Sequence, residues 1–86
     1  MIFKKFVLKE LNKNEYDVYC GETRIAMIVR HVRDDKNFIA MKTCYTYGKS
    51  KRYDIDTNLI TILNEVEKDF RNKFAHYLSS ILISLE

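Results

Sequence analysis

Residues 15–32, EYDVYCGETRIAMIVRHV, decide the fold: two alternating runs of apolar and polar residues flank a single glycine, Gly21. Side chains alternate between the two faces of a β-strand, and a Gly-X pair between two such runs is typical of a two-residue type II′ hairpin turn. We therefore predict an antiparallel hairpin that turns at Gly21 and Glu22. Its predicted cross-strand pairs are Cys20 with Thr23, Val18 with Ile25, and Tyr16 with Met27.

This register assigns a face to every residue of the hairpin, because a slip by one residue would exchange the two faces. The paired residues form an apolar inner face, which we expect to pack in the core. The opposite, outer face is predicted to carry Asp17, Tyr19, Arg24, Ala26 and Ile28.

The hairpin is expected to extend at its C-terminal end. A turn at residues 34–37 contains Asp and Asn side chains that hydrogen-bond locally, and it leads to a third strand that starts near Phe38. The predicted inner-face pairs of this strand are Met41 with Val29 and Ile39 with His31, and the same face continues through Thr43, Tyr45 and Tyr47.

A further strand is predicted near residues 2–9, before the hairpin. It would place Phe6 opposite Val18 and Leu8 opposite Tyr16. An alternative remains open, because residues 2–11 also place apolar side chains on one side of a short helix.

An amphipathic helix is predicted over residues 57–80, with Asp56 or Thr57 as its N-cap. Its apolar residues recur every three or four positions, and its other face carries acidic residues four positions before basic ones, which is typical of a solvated face. Three alternatives stay open for residues 81–86: they continue the helix, form a short strand, or dock on a partner. The apolar stripe of the helix comprises Leu59, Leu63, Val66, Phe70, Phe74, Tyr77, Ile81 and Leu85.

These elements together predict a single α+β domain. An antiparallel meander of three to four strands, at about residues 2–47, is followed by a basic loop at residues 48–52 and a long C-terminal helix packed on one face of the sheet. A chain of 86 residues is short, and a domain of that size buries only about 60–65% of the surface that its unfolded chain exposes. Little apolar surface can therefore be left unused.

The composition is that of a globular protein, with 47% hydrophobic and 31% charged residues and a net charge of +3. This charge is compatible with nucleic acid or with an acidic protein surface and demands neither. No apolar run is long enough for a membrane span, and charges at Lys9 and Glu10 come too early for a signal peptide, so we expect a cytoplasmic protein without a membrane partner. The absence of proline and the many Lys, Ile and Asn residues favour an AT-rich phage or mobile element as the source, and thus an accessory protein that modulates or inhibits a host factor.

The sequence predicts neither catalysis nor a cofactor. Cys20 and Cys44 fall on opposite faces of the predicted sheet and are expected to be free thiols, and neither histidine has a partner at metal-ligand spacing. The carboxylate pairs at residues 34–35 and 54–56 have ordinary roles in a turn and before a helix. We therefore expect a non-enzymatic binding protein without a metal or cofactor.

The outer sheet face and the basic loop supply the candidate binding residues. In the main interpretation the outer face is a protein interface, either with a second copy (a homodimer) or with a target, and the C-terminal segment adds to it. In the alternative interpretation it is a platform for nucleic acid, on which aromatic rings stack with bases and cations hold phosphates. The candidates for protein contact are Ile28, Arg30, Val32, Phe38, Ala40, Ile81, Leu82 and Leu85. The candidates for nucleic-acid contact are Tyr19, Arg24, Arg30, Lys42, Lys49, Lys51 and Arg52.

Residues 47–63, YGKSKRYDIDTNLITIL, resemble the end of a double-stranded-RNA-binding domain, in which a third strand runs into a lysine-rich turn and a helix. A helical start at residues 2–11 would complete the α-β-β-β-α order of that family. The sequence departs from the family at Asp54 and Asp56, in the short first hairpin turn and in the long helix without an alanine-rich face, so we do not assign the chain to it. The residues that the resemblance implies to grip phosphates are Ser50, Lys51 and Arg52.

Overall fold

A computed structural model describes residues 4–73 as an antiparallel sheet of five strands followed by one helix. The strands lie in the sheet in chain order, so the sheet is a simple meander. The α+β class is therefore confirmed, whereas the predicted number of three to four strands is too low. The elements are β1 (Phe6–Asn12), β2 (Glu15–Cys20), β3 (Thr23–Val32), β4 (Asn37–Thr43), β5 (Lys51–Asp54) and α1 (Leu59–Lys73).

The additional strand is β5, which contains residues that we predicted to lie in the basic loop. It pairs antiparallel with β4 at the edge of the sheet, with Lys51 opposite Met41 and Tyr53 opposite Ile39. Its charged residues have low intrinsic preference for strands, and the neighbouring β4 supplies the hydrogen-bond ladder that holds them extended. The basic loop is thus shortened to the residues before Lys51.

The first element is a strand, which excludes the helical alternative for residues 6–12 and the α-β-β-β-α order. Phe6 pairs with Cys20 and Leu8 with Val18, two residues away from the predicted register. Because a shift by two residues keeps every side chain on its face, the predicted inner face of β1 is still correct. The strand ends at Asn12, whose side-chain oxygen accepts a hydrogen bond of 2.9 Å from the backbone N–H of Asn14.

The hairpin turn between β2 and β3 is where we predicted it. Gly21 has a φ of 61°, the positive value that the first position of a type II′ turn requires, and Cys20 pairs with Thr23. One residue later the ladder shifts, so that Val18 pairs with Ala26 instead of Ile25. Ile25 is the extra residue of a β-bulge, and it is 1% exposed.

The bulge exchanges the two faces of β3 beyond Ile25. Ile28 pairs with Met41 and Arg30 with Ile39, and Ile28 is completely buried. The predicted faces of β4 are correct, but those of β3 after the bulge are reversed. Residues that were expected inside, among them Val29, lie on the outer face.

Residues of α1 and of the sheet belong to one cluster of buried apolar side chains. Ile62, Val66 and Phe70 of α1 are fully buried in it, and the ring of Phe70 lies 5.0 Å from the ring of Tyr45. Val66 and Phe70 belong to the predicted stripe, whereas Ile62 does not. The core cluster comprises Val18, Cys20, Ile25, Ala26, Ile28, Ile39, Met41, Tyr45, Ile62, Val66 and Phe70.

The helix begins one or two residues later than predicted, because its N-cap is Asn58. The side-chain oxygen of Asn58 accepts a 2.8 Å hydrogen bond from the N–H of Ile60, which satisfies a free donor of the first turn. Thr57 instead donates its backbone N–H to the carbonyl of Asp54, at 3.0 Å, in the turn before the helix.

Several predictions about the ends of the chain fall outside the described residues. They are the helix beyond Lys73, the alternatives for residues 81–86, and the interface candidates Ile81, Leu82 and Leu85. Within residues 4–73, no helix is long and apolar enough to cross a membrane.

Candidate functional site

The outer face of the sheet carries an apolar patch, which we define as Met27, Val29, Phe38 and Ala40. Val29 and Ala40 are paired directly across β3 and β4, and the other two lie in the rows on either side. All four side chains are partly exposed. Since side chains of one face alternate along each strand, the four form one contiguous surface.

The ring of Phe38 is covered from both sides by cationic or ionisable side chains. The imidazole of His31 on β3 stacks on it at 4.6 Å between ring centroids, with the planes 23° apart. The guanidinium carbon of Arg52 on β5 lies 4.6 Å from the same centroid. A base could stack on Phe38 only by displacing one of these neighbours, so the ring is better placed to pack at its edge against a protein surface.

The β2 side of the outer face contains a buried carboxylate. Asp17 is 6% exposed, and Arg24, across the strand pair, approaches it to 3.9 Å. Beside it, the ammonium of Lys9 lies 5.9 Å from the centre of the Tyr19 ring. Tyr19 and Arg24, both candidates for nucleic-acid contact, are therefore engaged with neighbours of the same sheet face.

One row of the outer face has an acidic residue at one end and a basic residue at the other. This row of paired residues runs across four strands, from Glu15 on β2 through Val29 and Ala40 to Arg52 on β5. Lys42 on β4 adds a second exposed cation to the outer face. The apolar patch thus lies between an exposed carboxylate and two exposed cations.

A second concave region lies between β5 and α1. It is a groove of about 410 Å³, whose rim includes Lys49, Lys51 and Lys68. The ammonium of Lys51 pairs with the Glu65 carboxylate at 3.2 Å and lies 4.9 Å from the centre of the Tyr53 ring. A neighbouring groove of about 420 Å³ on the other side of β5 also includes Lys51, together with Lys42 and Arg52.

Asp69 ties the basic loop to the helix. Its Oδ2 accepts hydrogen bonds from the Tyr45 hydroxyl at 2.6 Å and from the backbone N–H of Lys49 at 3.2 Å, and its Oδ1 accepts one from Lys73 at 2.8 Å. Burial on its own would raise the pKa of Asp69, but these donors outweigh it and lower the pKa below the ordinary value. Tyr45 is buried as predicted, whereas Tyr47 is 75% exposed and does not pack inside.

Two inner-face polar groups at the far end of the sheet are buried. Arg30 and Tyr53 flank Ile39 in one row, and the Nε of Arg30 has no hydrogen-bond partner among residues 4–73. Burial, together with the nearby Glu65 carboxylate, raises the pKa of Tyr53 to about 12. Tyr53 is therefore protonated at neutral pH.

The structure changes the list of candidate interface residues. Ile28 is a core residue and Arg30 lies on the inner face, because the bulge at Ile25 turned both inward. Val32 is 62% exposed but belongs to the same inner-face side as Arg30, so it does not join the outer patch. The candidates that do lie on the outer face are Tyr19, Arg24, Phe38, Ala40, Lys42 and Arg52.

Met27 and Val29 are the outer-face residues that the sequence analysis missed. Both alternate with buried residues in β3, but in the opposite phase from the predicted one. The only local signal was the unusually long apolar run at residues 25–29, which fits either phase.

The cysteines and metal-binding groups add no further site. Cys20 is buried, its thiol donates to the carbonyl of Lys4 at 3.4 Å, and burial raises its pKa; Cys44 is exposed, and neither forms a disulfide. Within the described part of the chain, no group of three or more His, Cys, Asp or Glu side chains is arranged to hold a metal ion.

Comparison of the chain with protein-family models, with curated proteins and with solved structures gave no match. The function is therefore inferred from the geometry of the outer sheet face and its surroundings.

Proposed function

We propose that this protein is a non-enzymatic binding protein that contacts another protein through the outer face of its sheet. The observation that carries the proposal is the apolar patch, which stays partly exposed although a domain of this size has little apolar surface to spare. The inner-face residues share a buried cluster with residues of α1, and this supports assigning the partner to the outer face.

The chemistry of the patch indicates the kind of surface that it fits. Phe38 is an aromatic anchor that is already held in place by His31 and Arg52, so little side-chain entropy is lost when it is buried. The cations Lys42 and Arg52 border the patch, and they favour a partner whose apolar contact area has carboxylates at its rim.

The proposal is tested by affinity capture with a matched pair of variants. Phe38→Asp places a charge in the apolar patch, whereas Val32→Asp places the same charge on an exposed residue outside it. We expect the wild type and Val32→Asp to capture a protein that Phe38→Asp does not capture. Calorimetry with the purified captured protein should show the same order of affinity for the three variants.

A second variant guards against a folding defect in Phe38→Asp. Ala40→Glu also inserts a charge into the patch, but its cross-strand neighbour Arg52 can pair with it, so circular dichroism should show an unchanged fold. If a purified partner binds Ala40→Glu and the wild type equally, the outer face is not the interface.

Nucleic-acid binding is the second candidate, and one observation favours it: five cationic residues on or beside β5 line two adjacent grooves. They are Lys42, Lys49, Lys51, Arg52 and Lys68. Phosphate-driven binding weakens steeply with salt, so fluorescence anisotropy of labelled DNA and RNA at about 50 and 200 mM salt decides this alternative.

The matched variants for this alternative remove equal charge at opposite edges of the sheet. Under the nucleic-acid interpretation, changing Lys49, Lys51 and Arg52 to Ala abolishes salt-sensitive binding. Changing Lys5, Lys9 and Lys13 to Ala weakens it much less. Equal effects of the two triple variants would mean that the binding is a non-specific attraction caused by net charge.

A further inference from the structure

We propose that the partner of the outer face is a second copy of this chain, packed face to face about a two-fold axis that runs parallel to the strands between Val29 and Ala40. This inference rests on the proposed function, because it assigns an occupant to the same surface. It makes the interface isologous, so that each contact occurs twice.

The register of the sheet determines which residues meet. A two-fold axis between β3 and β4 exchanges these two strands, and it also exchanges β2 with β5. In the dimer, the row that runs from Glu15 to Arg52 in one copy therefore lies over the same row of the other copy, which runs in the opposite direction. Glu15 of each copy then lies opposite Arg52 of the other, and the Val29–Ala40 pairs meet at the centre.

Neither Glu15 nor Arg52 has a charged partner among the described residues of its own chain. Both are exposed, and neither forms an ion pair among residues 4–73. They lie three strand spacings apart, about 14 Å, which is too far for a direct pair within one sheet. Two facing sheets pack about 10 Å apart, a gap that a Glu and an Arg side chain together can span, and the Arg52 guanidinium at the edge of the Phe38 ring would turn toward the facing copy.

The neighbouring outer-face row runs from His31 through Phe38 to Asp54. Lys13 lies in the turn before β2 and belongs to no strand pair, so the charge complementarity lies in the row from Glu15 to Arg52. An axis perpendicular to the strands through this row would instead place Glu15 over Glu15 and Arg52 over Arg52, which is unfavourable.

The size of the face predicts a weak dimer. Four strands and about seven residues of length cover a flat area of roughly 19 by 23 Å, or about 440 Å² per copy and about 880 Å² in total, which is below the roughly 1,000 Å² of a stable specific interface. Self-association should therefore be followed by sedimentation equilibrium from about 10 μM to 1 mM, where weak dimers are populated.

The test exchanges the charges at the two ends of the row. Glu15→Arg and Arg52→Glu each create two like-charge contacts in a homodimer, and we expect each to weaken self-association by about tenfold or more. In an equimolar mixture of the two variants both contacts become attractive again, so dimerisation should return. Controls with the same changes off the row, Glu22→Arg in the turn and Lys68→Glu on α1, should associate like the wild type.

Each outcome decides the inference. The inference is supported if dimerisation returns in the mixture of the two variants while each variant by itself stays weakened. A wild type that is monomeric up to about 1 mM overturns it, as does a dimer that ignores the charge exchange, since that dimer would use another surface. The proposed function is decided separately: a partner that is captured by the wild type and lost in Phe38→Asp sustains it even when the chain proves monomeric.

Discussion

Asp69 is the residue at which the basic loop, the core and the helix are joined. It accepts hydrogen bonds from Tyr45, Lys49 and Lys73, and it is mostly buried. A carboxylate that is held by several donors in this way prefers its charged form, so its folded-state pKa lies below the value of 3.8 that we expect for the unfolded chain.

Asp69→Asn is expected to lower the free energy of unfolding by about 2 kcal/mol at neutral pH, because hydrogen bonds to a charged group are lost. The folded-state pKa is depressed, so the stabilisation by Asp69 is fully present above its unfolded pKa and is lost as the pH falls through the lower folded value. Urea denaturation over a pH series should show the wild type converging on the variant in acid. Glu67→Gln, which breaks only the exposed pair with Arg71, is the control and should cost a few tenths of a kcal/mol. A deficit of the same size at every pH would contradict this account of Asp69.

Gly48 illustrates a different constraint at the same scale, a lack of space. A Cβ atom at this position would lie 2.6 Å from the ring of Tyr45 and would also collide with the side chain of Thr43. Tyr45 is buried and hydrogen-bonded to Asp69, so it has little room to move.

We expect Gly48→Ala to destabilise the protein by about 1–3 kcal/mol through overpacking, as measured by thermal or urea unfolding. Ser50→Ala, in the same loop, is the control because Ser50 is exposed. A neutral Gly48→Ala would mean that the loop adjusts without disturbing Tyr45.

Among the elements, β3 decides the character of the outer face. The bulge at Ile25 turns Ile28 inward and Met27 outward, opposite to the register that an uninterrupted hairpin would have. The composition of the candidate interface therefore depends on one extra residue near the start of one strand.

This register predicts opposite outcomes for the same substitution at adjacent positions. Ile28→Lys buries an unpaired charge in the core and should leave the protein unfolded, whereas Met27→Lys points to the solvent beside Asp17 and should leave it folded. Circular dichroism and thermal melting distinguish the two. If Met27→Lys unfolded the protein and Ile28→Lys did not, the hairpin would have the register without the bulge.

At the scale of the whole molecule, stability depends on how α1 closes the core. Phe70 is fully buried, and its ring meets Tyr45 from the loop after β4 at 5.0 Å and Phe6 from β1 at 6.1 Å. One helical side chain thus contacts residues that are distant from each other in the sequence.

Phe70→Ala is expected to cost about 3–5 kcal/mol, a large share of the roughly 5–15 kcal/mol that holds a small domain folded. The measurement is the urea midpoint, with Ile60→Ala as the control because Ile60 is 56% exposed on the same helix. Similar midpoints for the two variants would mean that α1 contributes little to the core.

The sequence alone was sufficient where the determining interactions are local. The turn at Gly21 and the inner and outer faces of β4 follow from residues that are neighbours in the chain, because turn conformation and strand alternation act over a few positions. The α+β class follows from the same local patterns. The sequence also marked Phe38, Ala40 and Lys42 as outer-face residues, and the structure places all three there.

Tertiary structure decided the rest, because it depends on which strand lies beside which. The run at residues 25–29 is apolar in both phases, so only packing against α1 and β4 could select the phase that buries Ile28. The charged β5 is a strand because β4 offers it a ladder. The row that ends in Glu15 and Arg52 consequently exists only in the assembled sheet, where pairing brings together four residues that the chain keeps up to 37 positions apart.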